Sequence, residues 1–140
     1  MKSSRTSKGA AALWTVQGLL AAMFLFAGAM KWVMPVAILE AQSHLPGAFV
    51  RFIGVCEILG ALGLILPGLF RIRTELTFLA ATGLVLIMTG ATTITLTQGQ
   101  IGGALVPFVL GVLAAFVVRG RAPNAETVSV RQPTVLQRAA

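Results

Sequence analysis

Four apolar stretches, each close to the length of a helix that crosses a bilayer, dominate this sequence. They span residues 10–30, 48–66, 76–96 and 101–118, and only the second contains charged residues. A helix needs roughly 20 apolar residues to cross a hydrocarbon layer about 30 Å thick. Within that layer only helices or closed barrels satisfy all backbone hydrogen bonds. The sequence therefore predicts an all-α membrane protein, a bundle of four transmembrane helices.

The composition supports this class of protein. Of 140 residues, 56% are hydrophobic and 11% charged, with a mean hydropathy of +0.88, whereas charged residues make up about 25% of an average soluble domain. The net charge of +7 is spread over several short segments and not gathered on one face, which argues against a nucleic-acid-binding surface. We expect a single membrane domain over residues 10–118, with the lipid bilayer as its surroundings.

The basic residues predict how the four helices are oriented. Nine of the eleven Lys and Arg residues lie in residues 1–9, in the loop between the second and third spans, and in residues 119–140. The other two, Lys31 and Arg51, fall at the opposite end of the helices. Because basic loops stay in the cytoplasm, we predict a multi-pass protein of the cytoplasmic membrane with both termini on the cytoplasmic side.

The segments outside the spans differ in length and composition. Residues 1–9 are expected to form a short basic tail, and residues 119–140, which are polar and contain proline, a disordered cytoplasmic tail. Lys31–Gly47 is the longest connection between spans. We expect it to be an outer loop with one interfacial helical turn near Pro35–Ala41, and we expect Trp32 to lie among the lipid headgroups.

The first apolar stretch has a second interpretation. A basic tail, an apolar run and the small residues Ala27-Gly28-Ala29 also resemble a secretory signal with its cleavage site. The run is longer than a typical signal core, and cleavage would leave three spans whose loop charges fit the cytoplasmic bias less well. A transmembrane helix is therefore the favoured interpretation.

Glu57 lies near the middle of the second span, where a charge costs roughly 2.5–3.5 kcal/mol on insertion scales. A partner, a hydrogen bond, a water-filled cavity or protonation must offset this cost. Gly54, Gly60 and Ala61 share its face of the helix, since residues three and four apart are neighbours. Small residues favour close helix packing in membranes, so Glu57 is expected to face another helix and not lipid.

We hypothesise a ligand site around Glu57 in the outer half of the bundle. Lys31 and Arg51 lie at the outer edge, and the long stem of Lys31 can reach either the interface or the bundle interior. Arg51 is about 120° from Glu57 around the helix axis and is not its direct partner. Together with Thr89 and Thr93 of the third span, these residues form the predicted ligand-binding set. It suits a lipid-like molecule with a polar head, such as a quinone.

Each of these residues also has an ordinary structural interpretation. Glu57 can be protonated, hydrogen-bonded to a neighbouring helix, and important only for the packing of the bundle. Lys31 and Arg51 can be interfacial anchors, and threonine hydroxyls often donate to carbonyls of their own helix. The lone cysteine, Cys56, lies in an apolar helix, where a thiol is usually a small hydrophobe. No metal site is predicted and no cofactor is evident.

Two further features bear on partners and chemistry. A smooth stripe with a spacing of four in the last span permits a homodimer but can equally be used inside the bundle; it consists of Gly103, Pro107, Gly111 and Ala115. The sequence contains no CxxC, HExxH, nucleotide-binding loop or serine elbow. Whether the protein is an enzyme therefore stays open, with Glu57 as the candidate catalytic residue.

Several segments together resemble the DoxX-like family of small four-helix membrane proteins, over residues 14–118. The most specific are Gly28-Ala29-Met30-Lys31, which ends the first span, and the Gly-x-x-Glu-x-x-Gly centre of the second span, residues 54–60. Leu45-Pro46, Leu66-Pro67-Gly68 and residues 83–91 extend the similarity. The resemblance implies a four-helix bundle associated with membrane redox systems.

Members of that family include subunits linked to quinol oxidation and to thiosulfate:quinone oxidoreduction. Relatives often carry a histidine near the outer end of the third span, where this chain has Thr95. That departure weakens the idea of a haem or metal bound at this position.

The predicted function is that of an accessory or lipid- or quinone-binding component of a membrane redox system. Its expected partners are the bilayer and either other membrane redox subunits or a second copy of the chain. One alternative is a small membrane enzyme that uses Glu57 as a general acid or base on a lipid-like substrate. The other is a purely structural or assembly partner without a ligand.

Overall fold

The fold is described from a computed structural model, which covers residues 3–73 and 75–122. These residues form five helices and no strand. Four of the helices are long and apolar enough to cross a membrane, so the prediction of an all-α protein with four spans is confirmed. The helices are α1 (Ser3–Val33), α2 (Val36–Ser43), α3 (Gly47–Leu69), α4 (Glu75–Thr97) and α5 (Ile101–Arg121).

The helices extend beyond the predicted apolar spans. α1 begins at Ser3, within the segment expected to be a basic tail, and α5 continues past residue 118 to Arg121. α3 likewise runs past its predicted end at residue 66 to Leu69, with Pro67 inside the helix. An existing helix gains one backbone hydrogen bond for each added residue, so it can continue where its apolar run stops. The expected disordered tail lies mostly outside the described residues, which end at Ala122.

The connection after α1 holds a complete short helix, α2, where a single helical turn was expected. Proline occupies the residue before α2 and before α3, where its fixed φ and missing N–H cost nothing. The Glu40 carboxylate accepts a hydrogen bond from the Gly47 backbone N–H at 2.8 Å, which satisfies a free donor at the start of α3. A Cβ at position 47 would overlap Val36, so glycine allows the close α2–α3 corner.

The four long helices form two closely packed pairs, α1 with α3 and α4 with α5. The pairs meet where α3 faces α4: a Cβ at Gly60 would lie 2.7 Å from a Leu84 methyl, and one at Gly63 would lie 2.6 Å from Ala80. α1 meets α5 near Leu13, which packs against Gly120. Small residues at these contacts let the backbones approach, as expected for membrane helices.

The two ends of the bundle differ in charge, and we name them accordingly. The basic end carries the α3–α4 loop and the last turn of α5, with Arg71, Arg73, Arg119 and Arg121. The α2 end carries α2 and the α4–α5 turn. The buried apolar core lies mainly in the half nearer the basic end, and its Met88 also borders a cavity. The core residues are Leu20, Ala21, Phe24, Ala61, Leu64, Ala81, Leu84, Met88, Ala114 and Val117.

A polar network ties three helices together near the basic end. The Gln17 side chain is fully buried and donates to the Leu64 carbonyl at 2.7 Å. Its own carbonyl oxygen accepts two hydrogen bonds from the Arg121 guanidinium, at 2.8 and 3.0 Å. The same guanidinium lies 5.5 Å from the centroid of the Trp14 ring, a distance typical of a cation–π contact. This network holds α1 against α3 and α5 at one end only.

Candidate functional site

Glu57 meets Lys31 in the half of the bundle nearer the α2 end. The Lys31 ammonium donates to carboxylate Oε2 of Glu57 at 2.7 Å, and the two side chains are 25% and 4% exposed. Side chains in a helix point back toward its N-terminus, which brings the Lys31 ammonium inward from the end of α1 to the level of Glu57. The midplane carboxylate predicted to need a partner therefore has one.

Two glycines allow this ion pair to form. A Cβ at Gly28 would lie 2.7 Å from the Gly54 carbonyl oxygen, and a Cβ at Gly54 would lie 3.1 Å from Cβ of Lys31. The backbones of α1 and α3 therefore cross in direct contact at these positions. Since Lys31 and Glu57 each follow one of these glycines by three residues, the crossing places ammonium and carboxylate side by side.

Part of the hydrogen-bonding capacity of the ion pair is unused within the described residues. Oε2 of Glu57 accepts from Lys31, whereas no described residue donates to Oε1. The ammonium has three donors; one binds Glu57 and one lies 3.4 Å from the Ala27 carbonyl. One carboxylate oxygen and one ammonium N–H thus remain to bind another polar group.

The ion pair borders an apolar cavity of about 630 Å³. All five helices contribute to its walls, and both Lys31 and Glu57 line it. The polar side chains on its wall besides the ion pair are few and lie mainly toward the α2 end: Gln42, Ser43, Thr95, Gln98 and Gln100. An apolar pocket with a few convergent polar groups is the usual form of a small-molecule site.

The α2 end of the cavity is partly covered. Leu39 of α2 is 5% exposed and lines the cavity. The Gln98 side-chain amide, in the α4–α5 turn, donates to the Ser43 carbonyl at 2.7 Å. Glu40 of α2 also bonds to the start of α3. α2 is therefore attached to α3 and to the α4–α5 turn, and it covers part of the α2 end of the cavity.

Arg51, a predicted member of the site, lies elsewhere. Its guanidinium sits 5.6 Å from the centroid of the Trp32 ring, and it is not among the residues that line the cavity. Its Nε is buried and has no hydrogen-bond partner among the described residues. As the sequence indicated, Arg51 does not pair with Glu57.

Thr89 and Thr93, the other predicted members, are not brought to the ion pair. They line a separate shallow groove between α4 and α5, and their hydroxyls donate at 2.8 Å to the carbonyls of Val85 and Thr89 in their own helix. This is the ordinary structural use of threonine foreseen for them. Thr95 does line the cavity, but its hydroxyl also bonds within its helix, to Ala91.

Sequence reasoning missed several wall residues of the cavity. Phe49, Phe52 and Cys56 of α3 lie along the cavity next to Glu57, and Gln98 closes it from the α4–α5 turn. The helical spacing of 49, 52 and 56 was a usable signal because it marks one face of α3. The role of Gln98 had no local signal, since its partner is 55 residues away.

The smooth stripe of α5 is largely used inside the bundle. A Cβ at Gly111 would lie 3.2 Å from Met88 of α4, and one at Gly103 would lie 3.2 Å from Thr95. These glycines therefore serve α4–α5 packing. Within the described residues, no three His, Cys, Asp or Glu side chains are close enough together to hold a metal ion.

The lengths and composition of the four long helices define a multi-pass membrane protein. A sequence profile of the DoxX-like family matches residues 15–117, so the chain belongs to the DoxX-like family, as its sequence motifs suggested. The matched residues include Gly28 and Gly54, where α1 and α3 cross, and both residues of the Lys31–Glu57 ion pair. No curated protein and no solved structure matches the chain significantly.

Proposed function

We propose that the protein binds one amphipathic, lipid-like molecule in the cavity, with the ligand head at Lys31 and Glu57. A quinone is the leading candidate. In this proposal the protein is an accessory or ligand-binding component of a membrane redox system in the cytoplasmic membrane. The redox association comes from the family resemblance, and the binding mode comes from the geometry of the site.

The observation that carries the proposal is an ion pair at the edge of an apolar cavity. Within the described residues this pair keeps one carboxylate oxygen and one ammonium N–H without a hydrogen bond. The Glu57 side chain is 4% exposed, and no described residue donates to its Oε1. Oε1 is not sealed off, since the fully buried side-chain atom without a partner within the described residues is Arg51 Nε. A ligand hydroxyl or water can therefore donate to Oε1. The free N–H of Lys31 can donate to a ligand carbonyl, while the apolar walls accept a hydrocarbon tail.

The orientation in the membrane follows from charge. Within the described residues, Lys31 and Arg51 lie toward the α2 end, whereas all other Lys and Arg lie at the basic end: Arg5, Lys8, Arg71, Arg73, Arg119 and Arg121. The positive-inside rule places the basic end in the cytoplasm. The cavity then lies in the leaflet away from the cytoplasm, with α2 as its outer cover.

The direct test is ligand titration of the purified protein in lipid nanodiscs, using decylubiquinone as the probe and calorimetry as the readout. Lys31→Met should weaken binding by about tenfold or more, since a hydrogen bond to a charged group is worth roughly 1.5–3 kcal/mol. Arg51→Gln is the matched control, because it removes a cation near the same end of the bundle that does not line the cavity.

Equal loss of binding in both variants would mean that Lys31 and Arg51 act only as positive charges at the membrane interface. The assignment of the ligand head to the ion pair would then be wrong. No measurable binding of decylubiquinone, of its quinol or of a long-chain alcohol by the folded wild-type protein would reject the ligand-binding function itself.

A second candidate function is catalysis with Glu57 as general acid or base. It is favoured by one observation, the Lys31 ammonium 2.7 Å from a carboxylate that retains a free oxygen, since such a pair can give and accept a proton. Glu57→Gln keeps the shape of the side chain. In the binding proposal this variant weakens the ion pair but keeps an acceptor oxygen for the ligand, so affinity falls only in part, whereas an enzyme would lose turnover.

A further inference from the structure

The cavity extends sideways between the two helix pairs. Near the basic end, α3 and α4 are in close contact through Gly60 and Leu84. Two turns farther along α4, no atom lies within 4 Å of the place where a Cβ of Gly90 would stand, although Gly90 lines the cavity. The space between α3 and α4 therefore widens toward the α2 end.

The widened space reaches the lateral surface of the bundle. Phe52 of α3 and Leu86 of α4 both line the cavity, yet they are 63% and 69% exposed. Among the hydrophobic residues on the cavity wall these two are the most exposed, which marks the place between α3 and α4 as an opening to the outside. We call this place the side opening; it is formed by Phe49, Phe52, Cys56, Leu86 and Gly90.

Every residue of the side opening lacks a charge, and two are phenylalanines. By contrast, the wall at the α2 end is polar, with Gln42 and Gln100 exposed there. α2 covers part of that end, bound to α3 through Glu40 and to the α4–α5 turn through Gln98. The side opening lies on helix surfaces long and apolar enough to face hydrocarbon. Its surroundings are therefore acyl chains and not water.

We propose that the ligand reaches the cavity from within the bilayer, through the side opening between α3 and α4, and not from water through the α2 end. This route rests on the proposed ligand site and specifies the ligand source as molecules dissolved in the membrane. Molecules with permanently charged heads cannot use this route, because a charge is costly in the hydrocarbon that surrounds the side opening. A neutral head group can pass Phe52 and Leu86 and then bond to the ion pair.

Cys56 provides a test that needs no ligand, because the chain's single cysteine lies at the side opening. The protein is reconstituted in phosphatidylcholine nanodiscs, so that both membrane faces are reachable, and its alkylation is followed by mass spectrometry. Two reagents are compared: N-ethylmaleimide, which is small and neutral, and a trimethylammonium methanethiosulfonate, which stays in water. We expect the neutral reagent to label Cys56 and the charged reagent to label it only after denaturation.

Two glycine variants show which path the neutral reagent takes. Gly90→Leu adds a side chain in open space inside the side opening and should slow labelling several-fold. Gly83→Leu is the matched control, since its added Cβ also meets nothing within 4 Å but residue 83 does not line the cavity. Both changes replace glycine within α4, so their effects on helix propensity are alike.

Val106→Trp tests the alternative that the reagent enters between α1 and α5, because Val106 of α5 lines the cavity on that side. Labelling slowed by Val106→Trp but not by Gly90→Leu would overturn the route proposed here, as would prompt labelling of wild type by the charged reagent. Failure of the neutral reagent to label the folded protein would overturn it as well. None of these outcomes bears on whether decylubiquinone binds, so this test and the ligand titration fail independently.

Discussion

At the scale of single residues, the Lys31–Glu57 ion pair is the feature on which both stability and site chemistry depend. Both side chains are mostly removed from solvent, and they lie 26 positions apart in the chain. Taking two charges out of water is costly, and their attraction repays the cost only while both are present. Loss of either partner should therefore weaken the fold.

Lys31→Met is expected to destabilise the protein strongly, because it leaves the Glu57 carboxylate buried without a cation. The loss should be about 3–5 kcal/mol, typical of breaking one side of a buried ion pair. The double variant Lys31→Met/Glu57→Leu should recover most of this loss, since no buried charge remains. Unfolding by sodium dodecyl sulfate in mixed micelles measures the unfolding free energies of the wild type, the single variant and the double variant. A double variant no more stable than the single one would contradict this account.

At the scale of helices, the α1–α3 contact depends on the absence of side chains at Gly28 and Gly54. The backbone carbonyl of each glycine lies within 3.1 Å of the place where the other's Cβ would stand. Backbone atoms cannot move aside as a flexible side chain can, so an added methyl group must separate the helices. The ion pair, which lies beside this crossing, would be separated with them.

Gly28→Ala should therefore lower the unfolding free energy by roughly 1–3 kcal/mol, the usual range for overpacking. Gly18→Ala is the matched control in the same helix, because an added Cβ there meets nothing within 4 Å. It should be neutral or slightly stabilising, since alanine favours a helix over glycine by up to about 1 kcal/mol. The same micelle unfolding experiment compares them. Equal effects of the two changes would show that close approach at Gly28 is unimportant.

At the scale of the whole molecule, two helix pairs are joined firmly near the basic end and enclose a cavity near the α2 end. The Gln17–Arg121 network and the core around Phe24 belong to the packed half. Arginines gather at that same end, so packing and charge both distinguish the two halves. The asymmetry predicts an orientation as well as a site.

We expect Ala122 to face the cytoplasm and Gln100, in the α4–α5 turn, to face the opposite side. Single cysteines at these two positions, each in a Cys56→Ala background, can be labelled with a membrane-impermeant maleimide. Position 100 should react in right-side-out vesicles and position 122 only in inverted vesicles, because the basic end stays inside. The reverse pattern would show that the bundle is inserted the other way.

Much of the fold could be predicted along the chain. The four long helices follow from apolar length alone, but several of their ends were misplaced. α1 and α5 continue into the flanking basic segments, and α3 continues through Pro67 to Leu69, three residues past its predicted end. The full extent of α2 was missed because an eight-residue segment between two prolines carries little periodic signal. Membership in the DoxX-like family was visible in the glycine-spaced motifs around Lys31 and Glu57.

The candidate site was predictable only in part. Glu57 and Lys31 stood out because charges are costly at such positions, and the structure brings them together in one ion pair. Thr89 and Thr93 shared a helix face in the sequence, but that face meets the α4–α5 groove and not the ion pair. Arg51 lies near Glu57 in sequence but points to Trp32.

By itself, the sequence determined which segments are membrane-length helices, which end is basic, and which carboxylate needs a partner. Those properties are local, since hydropathy, helix length and loop charge depend on consecutive residues. Only the tertiary structure decided that Lys31 is that partner, that a cavity lies beside the pair, and that α2 covers it. These depend on how helices distant in the chain rotate and cross, and contacts such as Gly28 with Gly54 or Gln98 with Ser43 set that arrangement.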